Sequence, residues 1–438
     1  MKKSNSVWSF FASVKLALFT LVTLAVTSII GTIIPQKEPL AFYTGKYGEA
    51  TAKVFQALDI PDMYNSWWFL ALLSLLSINL IICSIDRFPN VWKQIKADNL
   101  AVPLKRIQKM GQRSSWTSKL SHAETVQKIK RQTGKKGWKM REREIEEGTL
   151  LFAQKGAWSR TGVYLVHASI LIIFAGAIVG TLLGFKGSVL IYEGRSTDKI
   201  YTFEDGQSID LGFTVQCDKF DIEYYNNGMP KDYRSNLTVL EKDNVVLQTS
   251  IEVNSPMTYK GITFYQSSYE GTQNFILEVT NLKTKKKESF TVPFQKQTGW
   301  KEEGLRFGII NGEQTRQGRI TRLKIWFTDE LSQPSSFWMN SNATATIKRK
   351  EANYLLSAKQ MYATGLQVAK DPGVWLVYLG CILMLLGLYI AFFLSHKRLW
   401  LFVPKEDQPN VLLAGSANKN RIGFEKEFSE LAGQIKSE

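Results

Sequence analysis

The chain alternates between long stretches without charge and stretches in which charge is frequent. Four uncharged runs stand out: residues 16–34 (LALFTLVTLAVTSIIGTII), 67–85 (WWFLALLSLLSINLIICSI), 163–183 and 374–394 (VWLVYLGCILMLLGLYIAFFL). Each has about the 20 residues that a helix needs to cross a bilayer core. The pattern predicts a multi-pass membrane protein. Pro35-Gln36, not a small-residue cleavage site, follows the first run, so it reads as a retained helix and not a removed signal peptide.

Between the third and fourth runs the apolar period falls to two. YRSNLTVLEKDNVVLQTSIEVN alternates on both sides of Lys242-Asp243-Asn244, a hairpin signal, and NFILEVTNLKTKKKESFTV repeats the pattern around a lysine-rich turn. GITFYQSSYE and RITRLKIWFTD add aromatic and β-branched strands. Residues 184–373 therefore predict a β-sandwich or open barrel. Between the second and third runs, Ser121 and Glu124 have capping-box spacing before a short helix ending near Gly134. WKMREREIEEGTLLFAQK then predicts a hairpin turning at Glu147-Gly148. Residues 41–60 are weakly amphipathic, as a helix lying at the membrane interface would be.

Charge turns this pattern into a topology. The formal net charge is +16, and residues 86–161 hold eighteen Lys or Arg against seven Asp or Glu. Lys/Arg excess marks the cytoplasmic side. The expected fold class is a membrane protein with four transmembrane α-helices, N-in and C-in, a large extracytoplasmic all-β domain and a small cytoplasmic α+β insertion. Its segments are a cytoplasmic N-terminus (1–15), helix 1 (16–34), an external loop with an interfacial helix (35–66), helix 2 (67–85) and a basic cytoplasmic domain (86–161). Helix 3 (163–183), the extracytoplasmic β-domain (184–373), helix 4 (374–394) and a cytoplasmic tail (395–438) complete it. Trp8, Trp158 and Trp400 fall at the inner helix ends and Trp67, Trp68 and Trp375 at the outer ends, an aromatic belt. The basic residues flank a lipid bilayer, so no nucleic-acid partner is expected.

Three cysteines occur, Cys83, Cys217 and Cys381, with no CxxC and no CxxCH. The chain is thus neither a dithiol oxidoreductase nor itself a c-type cytochrome, and the three read as small apolar fillers. Among three histidines, His122 reads as a solvated helix-start residue and His396, beside Lys397 and Arg398, as an interfacial anchor.

His167 is different, because it lies inside the third apolar run, where an ionisable residue is expensive and marks a candidate site. It is four residues from the inner start of the span, about 6 Å deep. Val163, Ile170, Leu171 and Phe174 share its face, and no carboxylate on this helix would hold an imidazolium, so the neutral ring is the cheaper state. A neutral imidazole in an apolar pocket suits a haem iron as axial ligand. A histidine hydrogen-bonded across to Thr23, Ser74 or Asn79 on another helix is the alternative, equally open on these residues alone. On the same helix Gly176, Gly180 and Gly184 form a doubled small-xxx-small ridge, expected to pack against a neighbouring helix.

The order of segments resembles the ResB/CcsB family of System II cytochrome c maturation proteins over nearly the whole chain. The residues that carry it are SVKLALFTLVTLAVTSIIGTIIPQ (13–36), WFLALLSLLSINLIICSIDRFP (68–89) and GAWSRTGVYLVHASILIIFAGAIVGTLLGFKG (156–187). YRSNLTV, VNSPMTYKGITFYQSSY, DPGVWLVYLGCILMLLGL and SHKRLW follow in the family's order. The resemblance implies a subunit that acts with a ResC/CcsA-type membrane protein to move haem b, as a transported substrate, across the bacterial cytoplasmic membrane. It implies attachment of that haem to the CxxCH cysteines of apocytochrome c. The family's histidine of the third helix maps onto His167, as haem axial ligand. The tryptophan-rich segment and external histidines of the partner are absent here, so the resemblance implies a subunit of a holocytochrome c synthetase that is not catalytic alone. The alternatives are a b-type cytochrome subunit of a respiratory complex, which would want at least one bis-histidine pair, and a non-catalytic membrane assembly scaffold.

Overall fold

The computed structural model describes residues 6–436 apart from 98, 204, 226–228, 315–319 and 330. Among these residues, four helices are long and apolar enough to cross a membrane. The first (Val14–Ile33), third (Gly162–Leu183) and fourth (Val374–Phe393) match the apolar runs within two residues at each end. The second, Trp67–Lys96, continues well past residue 85 and through Pro89 into the basic segment. Ser13 and Ser66 accept bonds from the backbone amides of Lys15 and Phe69 and start the first two helices. Within the first, Thr20, Thr23, Thr27 and Thr32 each donate a hydroxyl proton to the carbonyl four residues back. Their polar atoms are thereby satisfied inside the helix, which lets four threonines sit in an apolar span.

The chain divides into two compact units, residues 1–176 with 375–438, and residues 177–374. The first unit holds the long helices and a five-stranded sheet. In that sheet Gln112–Thr117, Asn410–Ala417, Lys397–Pro404, Gly148–Lys155 and Arg141–Ile145 lie side by side in this order, all antiparallel. The hairpin at Glu147-Gly148 and the capped helix His122–Lys135 are both present, the latter with its Ser121–Glu124 box. Residues 395–438 are not a tail. They supply two central strands and the helix Arg421–Lys436, whose Phe424, Phe428 and Leu431 fill one core with Leu399, Leu401 and Leu413. Trp400 is likewise no belt residue: it is 2% exposed, packs on Phe152 and donates Nε1–H to the Asn99 carbonyl. Both follow from the strand Lys397–Pro404, a nearly continuous apolar run buried on both faces, which needs a second layer on each.

The glycine ridge is divided. Gly176 is buried, in heptad step with Gly162 and Ser169 on the same helix. This stripe lies against the fourth helix: a Cβ at Gly162 would sit 2.7 Å from the Ala391 nitrogen, and one at Gly380 2.9 Å from the Ser169 carbonyl. Gly387 is equally close to Val166. Gly180 faces the Asp371 carboxylate, and Gly184 the carbonyls of Gly180 and Lys370, so neither continues the helix seam. A heptad drifts only about 20° per repeat on a straight helix, whereas a four-residue step turns about 40° away from the partner.

The second unit is all-β after the last turns of the third helix. A ten-stranded sheet and a four-stranded sheet enclose two cores. Strands Ile262–Asn281 and Asn353–Lys370 run antiparallel through both. Lys242 and Asp243 make the expected hairpin turn with φ of 47° and 65°. Cys217 is fully buried, and burial pushes its thiol up to about 12, an apolar filler and not a reactive thiol.

Candidate functional site on the third long helix

His167 faces the second long helix. Its Nδ1 lies 2.9 Å from the Ser84 hydroxyl, and that hydroxyl is also 2.6 Å from the Leu80 carbonyl. A carbonyl only accepts, so the single serine proton goes to Leu80 and Ser84 Oγ meets the imidazole as an acceptor. Nδ1 then carries the ring proton and Nε2 carries a lone pair. Among the described residues no hydrogen bond reaches Nε2. One ring nitrogen is thus oriented by a neighbour and the other is open, an arrangement in which an imidazole can serve as a ligand.

The surroundings are apolar and aromatic. Ile170 and Phe174, one and two turns on, pack with Leu76, Leu80 and Phe69 of the second helix. On the other side, Tyr164 stands edge-on to His167 with centroids 6.2 Å apart, and Phe88 edge-on to Tyr164 at 5.1 Å. Phe88 stacks on Trp92 at 5.7 Å, and Trp92 meets Trp158 at 5.5 Å. Lys96 lies 4.8 Å from the Trp92 ring, and Arg87 follows Ser84 by three positions on the same helix. The five rings form a continuous wall from the histidine to the start of the third helix, ending in Trp158, 62% exposed. Aromatic surface, an open imidazole nitrogen and nearby cations could together accept an amphiphilic metalloporphyrin.

The other two histidines are closed. His396, 1% exposed, accepts from Arg160 Nε at Nδ1 (2.9 Å) and donates from Nε2 to Gln154 Oε1 (3.0 Å). Burial, and then the charges of Arg160 and Arg398, hold it neutral, down to about 4. It is a buried connector and not the interfacial anchor its basic neighbours suggested. His122 is not simply solvated either: Nδ1 donates to the Pro404 carbonyl (2.7 Å) and Nε2 accepts from the Thr149 hydroxyl (2.9 Å), tying its helix to two strands.

A family model described as the ResB-like family matches residues 14–358 and 314–429. The chain belongs to the ResB-like family. It is 28% identical over 446 residues to the cytochrome c biogenesis protein CcsB of Synechococcus sp. (strain JA-3-3Ab), covering 97% of this chain and 88% of that protein. It is 29% identical to the CcsB of Synechococcus sp. (strain JA-2-3B'a(2-13)), over 97% of this chain and 91% of the other. For the CcsB of Prochlorococcus marinus (strain NATL2A) the identity is 27%, over 98% and 99%.

In this ResB-like chain the ring meets Ser84 and none of the helix partners considered from sequence, Thr23, Ser74 and Asn79, two of which are engaged elsewhere. Asn79 donates to the carbonyls of Phe11 and Ser13, and Thr23 to that of Phe19. Ser84 and the ring series Phe88, Trp92, Tyr164 and Trp158 were the residues sequence reasoning missed. Depth was the available signal: the second helix runs antiparallel to the third, so a residue four positions from the start of one meets the end of the other.

Proposed function

We propose that this ResB-like protein is a haem-handling subunit in cytochrome c biogenesis. In this reading it acts with a ResC/CcsA-type membrane protein, exports haem b as substrate and supports its attachment to the CxxCH cysteines of apocytochrome c. Both ends and residues 86–161 are cytoplasmic, and residues 184–373 lie outside. One observation carries the haem assignment: of three histidines, His167 alone leaves a ring nitrogen open, and it does so beside an aromatic wall. The pairing of residues 397–404 with 148–155 on one side and with 410–417 on the other supports the topology, since strands in one sheet share one side of a membrane.

The chemistry this chain contributes is binding and orientation. Ser84 holds Nδ1–H so that Nε2 keeps its lone pair, and Tyr164 stands edge-on to the ring with Phe88 against it. One imidazole fills one axial position, so the partner chain supplies the second ligand. The open nitrogen favours this reading over a scaffold in which His167 merely packs. The test is haem content of the complex co-expressed with its partner: wild type retains haem with a bis-imidazole spectrum, and His167→Gly loses it. Haem retained by the glycine variant with an unchanged spectrum would remove His167 from the site.

A further inference from the structure

On the sheet face that carries Trp400 and Phe152, Gln154, Arg398 and Ser416 are cross-strand partners and so stand on one side of the sheet. The Arg398 guanidinium lies 5.4 Å from the Trp400 ring, and its Nε is buried without a hydrogen-bond partner. Ser416 Oγ in the same rung is also buried and unpartnered, as is Ser159 Oγ, whose residue is 2% exposed and precedes Arg160. Arg160 and Arg106 both lie within electrostatic reach of Arg398 and oppose its charge. Among the described residues none of the three arginines has an ion pair, and the partners of Arg160 are the neutral His396 ring and the Gln94 amide.

Arg398 and Arg160 are half-buried and Arg106 is exposed; like charges near one another are costly, and the orphaned Arg398 N–H adds to the cost. The same groups, fork-shaped donors beside two hydroxyls, are what an oxyanion takes. We infer that Arg398, Arg160 and Arg106, with Ser416 and Ser159, bind an oxyanion carried by an amphiphile at the membrane surface. The place argues for the amphiphile: Arg160 is two residues before the third long helix begins and Arg398 five after the fourth ends. The oxyanion is a carboxylate or a phosphate. A porphyrin carboxylate rests on the haem reading above, since Arg160 precedes His167 by two helical turns; a lipid headgroup phosphate does not depend on it.

The experiment uses the full chain with its partner in lipid nanodiscs, titrated with hemin and with haem dimethyl ester, and native mass spectrometry of bound phosphatidylglycerol. For a carboxylate, Arg398→Gln weakens hemin about tenfold, the size of one charge-assisted pair, and leaves the ester unchanged. For a phosphate, hemin is unaffected but the variant loses the phosphatidylglycerol that wild type retains. If Arg398→Gln changes neither hemin affinity nor bound phosphatidylglycerol, the site is overturned. Arg398→Lys, which keeps the cation, and Ser416→Ala, a small change in the same rung, guard against misfolding. The alanine variant loses about threefold in the affected arm, for one neutral hydrogen bond. If His167→Gly retains haem while Arg398→Gln loses phosphatidylglycerol, the haem reading fails and the oxyanion site stands.

Discussion

His167 and His396 belong to the same unit, the first half-buried and the second buried, and they are built for opposite ends. At His396 both ring nitrogens are engaged, by an arginine donor and a glutamine acceptor, and the backbone amide is held by Asn418 at 2.7 Å. At His167 only Nδ1 is engaged, and the ring faces an aromatic wall instead of a polar cage. Burial alone therefore says little about what a histidine does. The count of occupied nitrogens separates a structural ring from a candidate ligand, and substitutions at four positions test that contrast.

The largest effect on stability belongs to the closed site. His396→Ala leaves Arg160 and Gln154 without their partner and costs on the order of 3 kcal/mol, through orphaned buried groups and a cavity. His167→Ala, which frees only Ser84, costs less than half of that. Thermal melting of the detergent-solubilised chain measures both, and a reversed order breaks the contrast. The same cage makes stability depend on pH. His396 is held neutral, from an ordinary 6.5 down to about 4, so the unfolded chain binds the extra proton. Its contribution is complete above pH 6.5 and lost as pH falls toward 4, again on the order of 3 kcal/mol. A His396→Gln chain with the same acid sensitivity would show that another group carries it.

Ser84→Ala sharpens the comparison from the other side. It removes the group that orients Nδ1–H without touching Nε2, and is expected to weaken haem about tenfold, as the loss of such a supporting partner does. Its melting temperature stays near wild type; an unchanged haem affinity would show that the ring needs no orientation. The smallest effect is at His122, part-exposed at its helix start. His122→Ala loses two hydrogen bonds, costs about 1 kcal/mol, and leaves haem content at the wild-type level in the same spectra.

Helices and hairpins were legible because each is a local pattern: an uncharged run of span length, an alternating pair of strands, a Ser121–Glu124 box. The closure of 395–438 into the sheet was not, since Arg160 and Gln154 meet His396 across 236 and 242 positions. The glycine ridge misled for a geometric reason: GxxxG spacing was the louder motif, while the Gly162, Ser169, Gly176 heptad, whose first two residues meet the fourth helix, includes a serine and reads as ordinary apolar sequence. His167 itself was readable as an oddity in an apolar run. Its partner Ser84 was within reach of the same reasoning, had antiparallel depth been used to choose among hydroxyls instead of their presence in a span.

The central claim is that His167 Nε2 is an open axial position for haem. The measurement that tests it most directly is the visible spectrum of the complex co-expressed with its ResC/CcsA-type partner, recorded for His167→Gly before and after addition of free imidazole. The predicted result is loss of the bis-imidazole spectrum and its return when imidazole occupies the vacated place. A wild-type spectrum in the glycine variant without imidazole would contradict it.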